Sequence, residues 1–179
     1  MRRILAAVLA LALLAPAAAH ARGPSTPEER KRAVETTRKL EKQPLARSSM
    51  DARKWLFQWI VEIPDINVRS CAGPLDTLRA EEDDSYAQLL YVQSVFGMAA
   101  FQIENPKKES DWVAVQSAGI ESVLRAYDSM RKADSELKYK ELDRLEKARK
   151  EGKLAAVVKK EMAKCGNPDE MGPAPDDAI

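Results

Sequence analysis

Histidine is nearly missing from this 179-residue chain, which carries only His20. Cysteine occurs twice, as Cys71 and Cys165, and aromatic residues make up 6% of the total. Each scarcity excludes a class of chemistry. Nucleophilic dyads and triads that use an imidazole have no base beyond position 20. Zinc sites of Cys/His type and the haem or di-iron sites of four-helix bundles lack their ligands. There is no CxxC, so a thioredoxin-type redox site is not indicated, and no CxxCH for covalent haem. No glycine-rich phosphate loop is present among the seven glycines. The sequence therefore assigns no metal site and no cofactor.

What is present starts with the segment MRRILAAVLALALLAPAAAHA. Arg2 and Arg3 form a basic n-region, residues 4–15 an apolar h-region, and Ala19-His20-Ala21 a small-x-small cleavage site. Residues 1–21 read as a signal peptide cut after Ala21, which also removes the sole histidine. The apolar run is short for a span of about 20 residues. No cysteine sits near the cut, so a lipoprotein anchor is not indicated. The expected location is periplasmic or extracellular, and the expected mature protein is not integral to a membrane. That compartment is oxidising, so a Cys71–Cys165 disulfide is expected. Free thiols and intermolecular pairing are the alternatives.

Loss of Arg2 and Arg3 leaves 27 basic against 28 acidic residues, a mature net charge of −1. That balance argues against a nucleic-acid binder acting by bulk charge. The charge is uneven: 10 basic to 5 acidic over 22–54, 4 to 11 over 55–124, and 13 to 8 over 125–164. Solvated helix faces explain this pattern. The sharper alternatives are basic ends packed against the acidic middle, or contact with an anionic partner.

The periodicity throughout is helical, and the fold class is all-α. We expect an irregular bundle or short stack of five to six helices with a central antiparallel helical hairpin, over residues 22–165. Thr26-Pro27-Glu28-Glu29 is a capping box with proline at the first helical position, opening a helix that stops at Pro44. Its thin apolar stripe of Ala33, Val34 and Leu40 suggests loose packing. Ser48 or Ser49 is expected to cap a second helix ending before Pro64. Ala52, Trp55, Leu56, Trp59, Ile60 and Ile63 follow the i, i+3, i+4, i+7 rule there. Phe57 and Val61 fall outside that stripe, which suggests a broad buried face.

Residues 64–84 lack periodicity. Residues 85–104 are apolar almost all round and belong at a domain centre, with Gln88, Gln93 and Gln102 arguing against a membrane span. A turn at 105–108 leads into a helix opened by Ser110 and Asp111, with Gly97 and Gly119 at one level. Paired glycines would let two backbones approach closely. A last helical region is expected to break at Gly152. Residues 166–179, GNPDEMGPAPDDAI, read as a disordered acidic tail.

Three functions fit. The favoured one is an exported, non-enzymatic helical binding or structural module of the cell envelope, with an envelope protein as partner and no role for nucleic acid. Its candidate contact surfaces are the Trp55–Trp59 face and the basic outer helices. The second is a carboxylate enzyme cleaving glycans, with Glu62 and Glu104 as candidates because each lies near a helix C-terminus, where negative charge is unfavourable. The third is a binder of anionic surfaces. No catalytic residue is assigned.

Overall fold

The computed structural model describes residues 22–71 and 73–165. The expected leader and acidic tail lie outside them. Among the described residues seven α-helices follow in order: α1 (Pro27–Lys42), α2 (Ser49–Glu62), α3 (Asp76–Ala80), α4 (Ser85–Glu104), α5 (Trp112–Ala133), α6 (Lys140–Lys150) and α7 (Leu154–Met162). Short 3-10 turns occupy Gly73–Leu75, Pro106–Lys108 and Ala163–Cys165. Among the described residues there is no strand, and the all-helical reading holds. The aperiodic stretch 64–84 contains α3, whose five residues are too few for a period to show. Leu75 and Leu78 are nevertheless buried.

Side chains at the helix starts set most of the boundaries. Thr26 Oγ1 accepts from Glu29 N (3.2 Å) and Glu29 Oε2 accepts from Thr26 N (2.9 Å), closing the capping box of α1. Asp84 Oδ1 accepts from Tyr86 N and Ala87 N at the start of α4. Asp111 Oδ1 accepts from Ala114 N at the start of α5. The serines at the start of α2 behave differently from expectation. Ser48 makes no side-chain cap, and Ser49 Oγ donates to Gln43 O (2.6 Å) instead. That bond ties α2 back to the end of α1.

Helices α4 and α5 form the central antiparallel hairpin. A Cβ on Gly97 would sit 2.4 Å from Ser122 Cβ and 3.0 Å from Ala118 O. One on Gly119 would sit 2.9 Å from Ser94 O. Both glycines therefore exist for close backbone approach, as the sequence suggested. The break at Gly152 is also present. Gly152 has φ +69°, Gly152 N donates to Arg149 O and Lys153 N to Ala148 O, a Schellman stop that ends α6.

Two apolar clusters share α4, which explains why that helix is apolar all round. One side gathers Leu78, Leu90, Ile120, Leu124, Tyr127, Leu142, Leu154 and Val158. The other gathers Ala33, Leu40, Leu56, Trp59, Ile60, Ile63, Phe96 and Ala99. Helix α1 is not loosely laid, contrary to the thin stripe. It is packed against α2, α4 and α5, and the polar Thr37 and Glu41 complete its buried face. A hydrophobic stripe undercounts a face that contains buried polar residues.

Cys71 and Cys165 form a disulfide with Cα atoms 5.9 Å apart and a sequence separation of 94. The bond joins the end of the last helical turn to the segment just before Gly73–Leu75. Basic and acidic segments also meet. Arg22 pairs with Glu62 (3.1 Å), Arg30 with Asp65 (2.6 Å) and Arg38 with Glu104 (2.7 Å). The basic N-terminal third thus packs on the acidic middle.

Candidate functional site

Helix α2 carries two apolar stripes. The inner stripe, Leu56, Trp59, Ile60 and Ile63, is buried. Trp59 is 2% exposed and belongs to the core. Trp55 is half-buried. Its ring stacks on Trp59 at 6.0 Å between centroids, and the Arg32 guanidinium lies 3.8 Å over its centroid. Neither tryptophan offers an open aromatic face, so the expected Trp55–Trp59 contact surface is already occupied from within the chain.

The outer stripe is where the sequence reading is corrected. Phe57 and Val61 do not widen the buried face. They stand 44% and 49% exposed, and Met50 is 71% exposed. At 100° per residue Phe57 and Val61 fall off the core-facing arc of Leu56, Trp59 and Ile60. With Leu45 at 41%, four of the five exposed large hydrophobic side chains of the described residues lie within residues 45–61. The missed signal was the spacing 50, 54, 57, 61, a second helical row read as part of the first.

Beside this row an open groove of about 750 Å³ is lined by Met50, Asp51, Arg53, Lys54, Phe57, Gln58 and, from α4, Val92. Arg53 is half-buried. Its Nη2 donates to Pro44 O (3.0 Å), while its buried Nε has no acceptor. Burial lowers its pKa, with no carboxylate to oppose the effect. The groove thus combines apolar side chains with a guanidinium that lacks an anion.

The two candidate carboxylates sit elsewhere and are held separately. Glu62 is exposed at the end of α2 and pairs with Arg22, which also pairs with Glu29. Glu104 is exposed at the end of α4 and pairs with Arg38. An arginine at each offsets the unfavourable placement of a negative charge at a helix C-terminus. Between them in sequence, Asp65 accepts from Ser25 N (2.9 Å), Ser25 Oγ (2.7 Å) and Arg30 Nη2 (2.6 Å). Burial would raise its pKa, but these donors outweigh it and bring it from the ordinary 3.8 down to about 2.

The strongest polar constellation involves a residue the sequence did not single out. Glu41 is buried on α1. Arg125 grips it through Nε (2.8 Å) and Nη2 (2.9 Å), Arg38 Nη1 donates at 2.8 Å, and Ser122 Oγ donates at 2.7 Å. Gln93 Nε2 in turn donates to Ser122 Oγ (3.0 Å). Burial pushes the Glu41 carboxyl up, yet the bonds from Arg125 and Ser122 and the two guanidinium charges bring it below the usual range. A charge so engaged ties α1 to the α4–α5 hairpin. Arg125 also lies 3.5 Å from Glu121, an i, i+4 pair on α5, and grips Glu41 more closely.

Among the described residues no group of three or more His, Cys, Asp or Glu side chains is placed to hold a metal ion. Nor is any helix there long and apolar enough to cross a membrane. Comparison of the chain with protein-family models, with curated proteins and with solved structures returns no match.

Proposed function

We propose that this protein is an exported helical module that binds another protein of the cell envelope through the outer face of α2. The observation that carries the reading is the concentration of exposed Leu45, Met50, Phe57 and Val61 on one short stretch. Clustered apolar exposure marks interaction sites, whereas scattered single residues do not. Export is supported by the leader-like N-terminus and by the Cys71–Cys165 bond, which suits an oxidising compartment. A binding role accords with carboxylates that are each committed to an arginine.

Site-specific photocrosslinking in cells tests it. A photoreactive residue at position 57 or 61 of the exported protein should give discrete protein adducts. Absence of protein adducts from every exposed position would remove the binding role. For the glycan-cleaving alternative, wall-polymer cleavage that Glu62→Gln and Glu104→Gln abolish would replace this reading.

A further inference from the structure

The outer row of α2 is spaced 4, 3 and 4 residues apart, at Met50, Lys54, Phe57 and Val61. That is the a/d spacing of a helix seam. At 1.5 Å per residue it runs about 17 Å, or three turns. Met50 and Phe57 line the groove together with Val92 of α4, so the surface is a shallow, open trough between two helices. A trough about three turns long matches a helix laid along it.

The charges in and around the groove indicate the sign of the occupant. Eight arginines elsewhere each reach a carboxylate. Arg47, Arg53 and Lys54 form no ion pair among the described residues, and Asp51 is the one acid lining the groove. Arg53 is the telling member. A half-buried guanidinium with no carboxylate partner is costly in the free protein, and an incoming carboxylate on its groove-facing side would relieve that cost. A second copy would bring its own α2 cations against these. The chain's own acidic segment 166–179 carries Pro168, Pro173 and Pro175 in its sequence, a residue type disfavoured inside a helix.

On the protein-binding reading above, we propose that the groove between α2 and α4 receives a three-turn acidic amphipathic helix of a partner protein. Its apolar row packs on Met50, Phe57 and Val92, and one of its carboxylates pairs with Arg53. This is the helix-in-groove mode of recognition, with charge setting orientation and discrimination.

The test uses the disulfide-bonded chain without its leader and a fluorescein-labelled 18-residue helix with leucine at a/d positions and glutamate beside them. Fluorescence anisotropy should show saturable binding. Exchanging the glutamates for lysine, or the leucines for serine, should weaken it at least tenfold. Phe57→Ser and Arg53→Gln should each do the same with unchanged far-ultraviolet circular dichroism, while Tyr86→Ser, at an exposed site on α4, retains binding. No binding of the acidic peptide, or binding indifferent to charge sign or to these substitutions, overturns the proposal. So does binding that appears only after residues 166–179 are removed, which would make that segment the occupant. Association with phosphatidylglycerol vesicles through Phe57 and Arg53, without peptide binding, assigns the surface to a membrane and also overturns it. Photocrosslinking separates the two levels. Protein adducts from positions other than 57 and 61, with no peptide binding, sink the groove and leave the protein-binding role. No protein adducts from any position sink both.

Discussion

Glu41 shows how one buried charge can organise three helices. It lies on α1, and its donors come from α1 (Arg38) and α5 (Ser122, Arg125), with Gln93 of α4 behind Ser122. Removing a partner from such a group leaves the others desolvated and unpaired, which is more damaging than the net worth of the pair. Arg38 and Arg125 are partly exposed and can take up water, so the penalty falls below that of a fully buried pair. Glu41→Ala should therefore lose about 2–3 kcal/mol in urea denaturation. Asp65 acts at the same scale through pH. Its folded pKa is depressed, so its stabilising effect is complete above about 3.8 and is lost as pH falls toward about 2. The stability gap between the wild type and Asp65→Asn should be widest near neutral pH and close across that acid window, as read by denaturant midpoints at a series of pH values.

At the scale of elements, the hairpin depends on what two positions lack. Alanine is the better helix former by about 1 kcal/mol, yet at Gly97 its methyl would meet Ser122 Cβ at 2.4 Å. Gly97→Ala should thus destabilise by about 1–3 kcal/mol through overpacking, the opposite sign to its helix propensity. Gly152→Ala tests a different cause. Nothing lies within 4 Å of that position, so any loss, about 1–2 kcal/mol, comes from the left-handed φ alone. Thermal denaturation of both variants distinguishes crowding from backbone strain. These two glycines were legible in the sequence because helical period and turn chemistry act locally. So were the capping box, Asp111 and the hairpin. What escaped depended on tertiary context. Glu41 looks like any charged residue until α5 supplies Arg125. Phe57 and Val61 look like core until the neighbouring helices fail to cover them. The α2 serines looked like caps because a cap and a tie to Gln43 O use the same hydroxyl.

For the whole molecule, the disulfide ties the segment after α7 to the middle of the chain. Cys71 precedes the 3-10 turn at Gly73–Leu75, and Cys165 ends the turn after α7. Gly73 packs tightly there, where a Cβ would lie 3.0 Å from Glu161 O. Closing a loop of about 95 residues restricts the unfolded chain by up to about 4–5 kcal/mol in the chain-entropy model. The native contacts of α7 do not depend on that bond: Leu154 and Val158 are buried in the α5–α6 cluster, and Glu161 pairs with Arg144 (2.5 Å). Replacing both cysteines by alanine should therefore preserve the helical circular dichroism spectrum while lowering unfolding free energy by about 2–4 kcal/mol. The loss should be uneven. With the bond gone, α7 is held by a short apolar row, its packing on Gly73–Leu75 and the Arg144–Glu161 ion pair, so limited proteolysis should cut near Gly152 before it cuts the α4–α5 hairpin. The intact protein should resist cleavage there, and denatured, unreduced protein should show no thiol to a colorimetric titrant. Two titratable thiols, or a variant as stable and protease-resistant as the wild type, would mean that packing alone fixes this end of the bundle.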